Sequence, residues 1–129
     1  MEERLIEVEL VSMPKERSDL GNDENNLMRV YLDDERATPE GWIRTYWPQE
    51  VITLLERGCV TEVSLDHDLG DDERGTGYDV ILWLEEAVAT RGFRPPKIVV
   101  HSANASARLK MEAGILSIQR FVVDNITKE

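Results

Sequence analysis

Polar side chains that can bind metal ions or move protons follow three short apolar runs of the chain. The run MRVYL is followed by two aspartates, VTEVSL by an Asp-His-Asp sequence, and KIVV by a histidine, a serine and, one residue later, an asparagine. These residues are Asp33, Asp34, Asp66, His67, Asp68, His101, Ser102 and Asn104. If the three runs are neighbouring parallel strands, the polar groups face one crevice, because the carboxyl ends of such strands meet at one edge of the sheet.

The aspartates at two of these strand ends predict a divalent metal site. Carboxylates brought within a few ångströms of one another repel unless a cation lies between them, and Mg²⁺ prefers such oxygen ligands. We therefore expect one Mg²⁺ or Mn²⁺, held by Asp33, Asp34, Asp66 and, as a further ligand, Asp68. The Asp-Asp-Glu-Arg turn after the first run, taken alone, is equally compatible with a solvated turn, but suitable groups at three strand ends favour a shared functional crevice.

Apolar runs alternate with helical periodicities along the chain, which is typical of an α/β fold. The predicted strands span residues 28–32, 60–65 and 97–101. The last of them is the richest in β-branched residues, which predicts a fully buried central strand. The predicted helices span residues 48–58, 78–92 and a region that starts after a cap at Asn104 or Ser106. Beyond Gly114, the helix either continues or gives way to a strand over residues 118–123.

These elements predict a flavodoxin-like, three-layer α/β sandwich with a mostly parallel sheet of four or five strands. The 129 residues suffice for one compact domain. We expect that domain to comprise residues 28–129. Residues 1–27 are predicted to form an arm outside it, with a half-buried edge strand at LIEVELVSM and a polar linker.

Composition excludes several classes of protein. With 26 acidic and 15 basic residues the formal charge is −11, which opposes a broad nucleic-acid-binding surface, because such surfaces depend on Lys and Arg. A single cysteine, Cys59, excludes an internal disulfide and a Cys-rich zinc site. No apolar run is long enough to span a membrane, and the acidic start is unlike a signal peptide, so we expect a cytoplasmic protein with no membrane partner.

Four motifs resemble those of the cyclic-phosphate processing receiver domain, a divergent relative of the bacterial phospho-accepting receiver domains. They are VYLDDERATP at residues 30–39, SLDHDLG at 64–70, GTGYDVILWLE at 75–85 and VHSAN at 100–104. The resemblance extends over residues 28–111 and implies a receiver-like fold. No Lys-Pro follows the last apolar run, so the lysine with which receiver domains touch the phosphoryl group is missing.

The resemblance implies a metal-dependent phosphodiesterase that acts on cyclic phosphates, with a small phosphodiester or an RNA end carrying a 2′,3′-cyclic phosphate as substrate. Its catalytic residues would be His67, His101 and Asp66. The two carboxylates flanking His67 favour its protonated form and a general-acid role, whereas His101, leaving a buried strand, suits a general base. The phosphate would be bound by Arg36, Ser102, Asn104 and Arg108.

A non-enzymatic receiver-like module is the alternative. In it, Asp66 would accept a phosphoryl group or shape a docking surface. That interpretation explains the aspartates equally well, but it leaves His67 and His101 without roles and lacks the receiver lysine.

Overall fold

Four parallel strands form the sheet in the described part of the chain. The structure, a computed structural model, describes residues 27–127, so the strand predicted at LIEVELVSM lies outside the described residues. The strands are β1 (Met28–Leu32), β2 (Trp42–Thr45), β3 (Val60–Leu65) and β4 (Lys97–Val100). They are arranged in the order β2-β1-β3-β4, and every neighbouring pair is parallel. The predicted α/β class, parallel sheet and strand number are confirmed.

Three helices complete the described fold; two begin at a side-chain cap and one begins at a proline. They are α1 (Pro48–Glu56), α2 (Gly77–Arg91) and α3 (Ala105–Thr127), with a short 3₁₀ turn at Asp72–Arg74. Proline is the first residue of α1, Thr76 accepts the Tyr78 N–H at the start of α2, and Asn104 accepts the Ala107 N–H at the start of α3. None of these described helices has the length and apolarity needed to cross a membrane.

The hydrophobic core lies between one face of the sheet and all three helices. Val30, Leu32, Val63 and Leu65 supply the strand side, and α1 packs on α2, which packs on α3. Helices on opposite faces of a sheet cannot touch, so residues 27–127 supply a helical layer on one face only. Within the described part of the chain, the expected three-layer sandwich is therefore seen as two layers.

The structure corrects the position predicted for the third apolar run. β4 lies at the edge of the sheet formed by the described residues, and β3 lies nearer the centre. Burial alternates along β4, and Val99 keeps 36% of its surface exposed. β-Branched composition predicts a strand but carries no information on its place in the sheet, and this is why the fully buried central strand was wrong.

Two further differences concern the extent of regular structure. β2 was not predicted, because WIRT has too few residues for a clear alternation, and residues 33–41 connect it to β1 without a helix. The open question beyond Gly114 is settled in favour of the helix, since α3 continues to Thr127 and includes residues 118–123.

Candidate functional site

The site is built by the residues that directly follow three strands. Leu32 of β1 pairs with Leu65 of β3, which pairs with Val100 of β4, so Asp33, Asp66 and His101 follow at the same level of the sheet. One ligand atom from each of these three residues lies within 4.8 Å of the other two. Beside them an open cavity of about 380 Å³ is lined by Asp33, Asp34, Glu35, Arg36, Asp66, Asp68, Gly70 and Ala103.

Asp33 is the best-satisfied carboxylate of the site. It is fully buried, and its Oδ1 accepts the backbone N–H groups of Glu35 (2.7 Å) and Arg36 (2.9 Å). Its Oδ2 accepts from Arg36 Nη1 at 2.7 Å and lies 2.9 Å from His101 Nε2. Burial raises the pKa of Asp33, but the backbone and side-chain hydrogen bonds outweigh it and hold that pKa well below its usual range. Asp33 is therefore a fixed anion.

His101 is held on three sides by residues of the sheet. Its Nε2 is bonded to Asp33, its Nδ1 lies 2.7 Å from Ser64 Oγ, and its ring stacks on Tyr31 at a centroid distance of 4.5 Å. Since an ionised carboxylate only accepts, Nε2 carries a hydrogen, and the neutral tautomer then accepts the Ser64 hydroxyl at Nδ1. A water molecule can be activated by His101 only if one of these two bonds breaks.

Asp66 is the poorly compensated carboxylate of the pair. Only 7% of its surface is exposed, and Oδ1 accepts the His67 N–H at 2.8 Å. Burial and the negative charge of Asp33 raise the pKa of Asp66. A cation at this place would relieve the repulsion between the two carboxylates.

Arg36 already supplies part of that positive charge. Its Nη1 lies 2.7 Å from Asp33 Oδ2 and 3.4 Å from Asp66 Oδ2, while 44% of its side chain is exposed. Among the described residues that line the cavity, it is the one basic residue, against five acidic ones. The local charge therefore remains strongly negative.

His67 and Asp68 form a second imidazole–carboxylate pair. His67 Nδ1 lies 2.7 Å from Asp68 Oδ1, and this hydrogen bond lowers the pKa of Asp68. Asn104 Nδ2 approaches Asp68 Oδ2 at 3.4 Å. Within residues 27–127, Nε2 of His67 has no hydrogen-bond partner, and His67 is not among the described residues that line the cavity.

Of the residues expected to bind phosphate, Arg36 lines the cavity, whereas Ser102, Asn104 and Arg108 are not among its lining residues. The Ser102 hydroxyl is buried and accepts the Asn104 N–H at 3.1 Å, and the Asn104 side chain caps α3. Arg108 is exposed in the first turn of α3 and makes no ion pair with the described site residues. Asp34 and Asp68, which were expected to bind the metal, line the cavity together with Arg36.

Two supporting residues were missed by the sequence analysis. Ser64, which orients His101, lies in β3 two positions before Asp66, so the alternation of side chains along a strand could have identified it. Arg44 donates from Nε to the Asp33 carbonyl (2.9 Å) and from Nη1 to the Arg36 carbonyl (2.6 Å). No sequence signal pointed to Arg44, because β2 itself was not predicted.

The donor set fits a hard divalent cation. Asp33 and Asp66 present buried carboxylate oxygens close together, and Asp34 and Asp68 line the same cavity. Burial and, after it, the negative charge of Asp33 raise the pKa of Asp66. Mg²⁺ and Mn²⁺ take such oxygen ligands. Asp33 is the constraint, because each of its two carboxylate oxygens already has two donors.

Comparison with known proteins agrees with the motifs at these strand ends. Residues 28–117 match the sequence profile of a family described as the cyclic-phosphate processing receiver domain. Comparisons with curated proteins and with solved structures gave no significant match. The profile covers well over half of the 129 residues and includes every described residue of the site. The chain therefore belongs to the cyclic-phosphate processing receiver domain family.

Proposed function

We propose that this protein is a metal-dependent phosphodiesterase that hydrolyses cyclic phosphates, with nucleoside or RNA-terminal 2′,3′-cyclic phosphates as its substrates. The observation that carries the proposal is the convergence of Asp33, Asp66 and His101 within 4.8 Å, at the edge of a cavity with excess negative charge. An anionic substrate needs a cation there, and the carboxylates are suited to hold one.

In the proposed site Asp33 and Asp66 hold the metal, with Asp34 and Asp68 able to contribute directly or through water. A bound Mg²⁺ or Mn²⁺ would neutralise the non-bridging phosphate oxygens and favour attack by water, whose proton would pass to the solvent. The chain itself keeps Asp33 ionised through its hydrogen bonds and fixes its direction through His101. His101 is thus a positioning residue in this proposal rather than the general base.

Proton transfer in the proposed reaction falls to His67. Opening a cyclic phosphate releases one ribose oxygen as an alkoxide, which must be protonated. With Nδ1 bonded to the Asp68 carboxylate, His67 can donate a proton from Nε2, and Asp68 stabilises the charged ring. Arg36 adds a guanidinium suited to bidentate phosphate binding.

The proposal is tested by incubating the protein with nucleoside 2′,3′-cyclic monophosphates in Mg²⁺, Mn²⁺ or EDTA, and following the products by phosphorus NMR. We expect metal-dependent conversion to a monophosphate, lost in the Asp33→Asn/Asp66→Asn double variant. Glu86→Gln is the matched control, because Glu86 is an exposed acid of α2 outside the cavity. Conversion that survives in the double variant, or no conversion of any cyclic phosphate by the wild type, would rule the proposal out.

A phospho-acceptor role is the second candidate, favoured by the position of Asp66 at the end of β3 beside Asp33. A small phosphodonor and Mg²⁺ would then add one phosphoryl group to the wild type and none to Asp66→Ala, which mass spectrometry distinguishes. Against it, the described residues that line the cavity include an arginine and no lysine.

A further inference from the structure

Arg36 occupies the place between the two carboxylates where a metal ion would be most favourable. Its Nη1 bridges Asp33 Oδ2 and Asp66 Oδ2 at 2.7 and 3.4 Å. Asp33 Oδ2 also receives the His101 hydrogen bond, so its two acceptor positions are filled. A metal ion can use this oxygen only if the guanidinium leaves it.

The local structure lets the guanidinium move without the backbone. The Arg36 N–H donates to Asp33 Oδ1 at 2.9 Å, and the Arg36 carbonyl accepts from Arg44 Nη1 at 2.6 Å. These two bonds fix the peptide groups on both sides of residue 36. The side chain, in contrast, is 44% exposed and lines the open cavity. Rotation of the side chain alone is enough to release Asp33.

We propose that Arg36 is an exchangeable counter-ion: it balances Asp33 and Asp66 in the metal-free protein, is displaced by the divalent cation, and then binds the phosphate of the substrate. This inference rests on the metal and phosphate site of the proposed function. It makes the two ligands cooperative, because metal binding frees the group that phosphate needs. By linkage, phosphate raises the affinity for the metal by the same factor.

The exchange gives Arg36 variants opposite effects on the two ligands. In Arg36→Gln the metal no longer competes with a cation, so Mg²⁺ affinity measured by calorimetry should rise at least about threefold. With Mg²⁺ saturating, the affinity for inorganic phosphate should fall about tenfold, as expected for loss of a charged hydrogen bond. Arg36→Lys keeps the charge and should bind Mg²⁺ about as the wild type does. Structural damage would weaken both ligands together.

Arg94→Gln is the matched control, because it removes the same charge from an exposed arginine in the loop before β4, at the opposite end of the strands. It should leave both affinities unchanged. Equal Mg²⁺ affinity in wild type and Arg36→Gln, or equal phosphate affinity, would overturn the exchange even if cyclic phosphates are hydrolysed. Opposite shifts without any hydrolysis would support the exchange and count against the proposed phosphodiesterase. If neither the wild type nor any variant bound Mg²⁺, both the exchange and the proposed metal-dependent phosphodiesterase would be overturned.

Discussion

The Nε2 atom of His101 lies 2.9 Å from Oδ2 of Asp33, although 68 positions separate the two residues in the chain. The contact spans the sheet from β4 to β1 across β3, and Ser64 of β3 fixes the other ring nitrogen. A hydrogen-bonded series therefore joins the ends of three strands. This series orients the Asp33 carboxylate, so the direction of that carboxylate and its contribution to stability both depend on it.

Removing the imidazole should destabilise the protein measurably. His101→Ala takes one donor from the Asp33 carboxylate and abolishes the stack on Tyr31, so we expect a loss of about 2–4 kcal/mol in the free energy of unfolding. Ser64→Ala removes a single hydrogen bond and should cost about 1 kcal/mol. Urea denaturation measures both.

Lys97→Ala on the same strand is the control, because Lys97 is exposed and its ion pair with Glu62 is long at 3.8 Å. It should change stability by less than about 1 kcal/mol. If His101→Ala lowered the free energy of unfolding no more than Lys97→Ala does, the hydrogen-bonded series would not stabilise the fold.

Asp66→Asn should stabilise the metal-free protein. Burial and the charge of Asp33 raise the pKa of Asp66, which means that its ionised form opposes folding at neutral pH. Asparagine has nearly the same shape without the charge. In EDTA the melting temperature of Asp66→Asn should lie above that of the wild type, and added Mg²⁺ should raise the wild type far more than the variant.

Glu86→Gln is again the matched control and should melt at the wild-type temperature in both conditions. An Asp66→Asn variant that melts below the wild type in EDTA would mean that Arg36 compensates Asp66 fully.

Ionised Asp33, unlike ionised Asp66, should stabilise the fold, and this contribution should decrease as the pH falls. Its pKa is held well below the value of about 3.9 of an unfolded aspartate. Its stabilising effect is thus complete above that unfolded value and is lost as the pH falls through the folded pKa. In EDTA, the difference in unfolding free energy between wild type and Asp33→Asn should shrink as the pH falls from about 7 to about 2. A difference that stays constant with pH would contradict the lowered pKa.

The ends of β1, β3 and β4 were predictable because each strand is a clear apolar run that stops at a polar residue. In a parallel sheet those stops must lie at one edge, so local pattern alone brought Asp33, Asp66 and His101 together. The local sequence does not predict which of these side chains form hydrogen bonds with one another. His101 offers two ring nitrogens to any neighbour, and the sequence has no feature that selects Ser64 and Asp33 as partners. The general-base role was instead inferred from the position of His101 at the end of a buried strand.

The order of the strands in the sheet could not be predicted from the sequence either. Residues 97–100 are as β-branched as a central strand, yet they lie at an edge, because strand order depends on long-range pairing rather than composition. Asn104 makes one local contact that the sequence predicts and one long-range contact that it does not. Its cap on α3 was predictable from the residues after it, whereas its 3.4 Å approach to Asp68 depends on how two loops meet.

Gly114→Ala should destabilise the protein, although alanine favours helices by about 1 kcal/mol. Gly114 lies where α3 crosses α2, and a methyl group there would meet Cγ2 of Ile81. Overpacking of this kind costs about 1–3 kcal/mol and should exceed the gain in helix propensity. Because leucine lacks the β-branch, Gly114→Ala should be tolerated in an Ile81→Leu background. An equal loss in both backgrounds would exclude Ile81 as the cause.

His67→Ala should slow turnover without unfolding the protein. In the proposed reaction His67 protonates the leaving ribose oxygen, and a general acid contributes a factor of about 10²–10⁴. We expect kcat on a nucleoside 2′,3′-cyclic phosphate to fall by that factor, with KM and Mg²⁺ affinity nearly unchanged. Asp68→Asn should lower kcat less, because it weakens the stabilisation of the charged ring but leaves the imidazole in place. His101→Gln should instead lower Mg²⁺ affinity, since it disturbs the direction of Asp33. A His67→Ala variant with near-normal kcat would show that the leaving oxygen takes its proton from elsewhere, even if the metal site is correct.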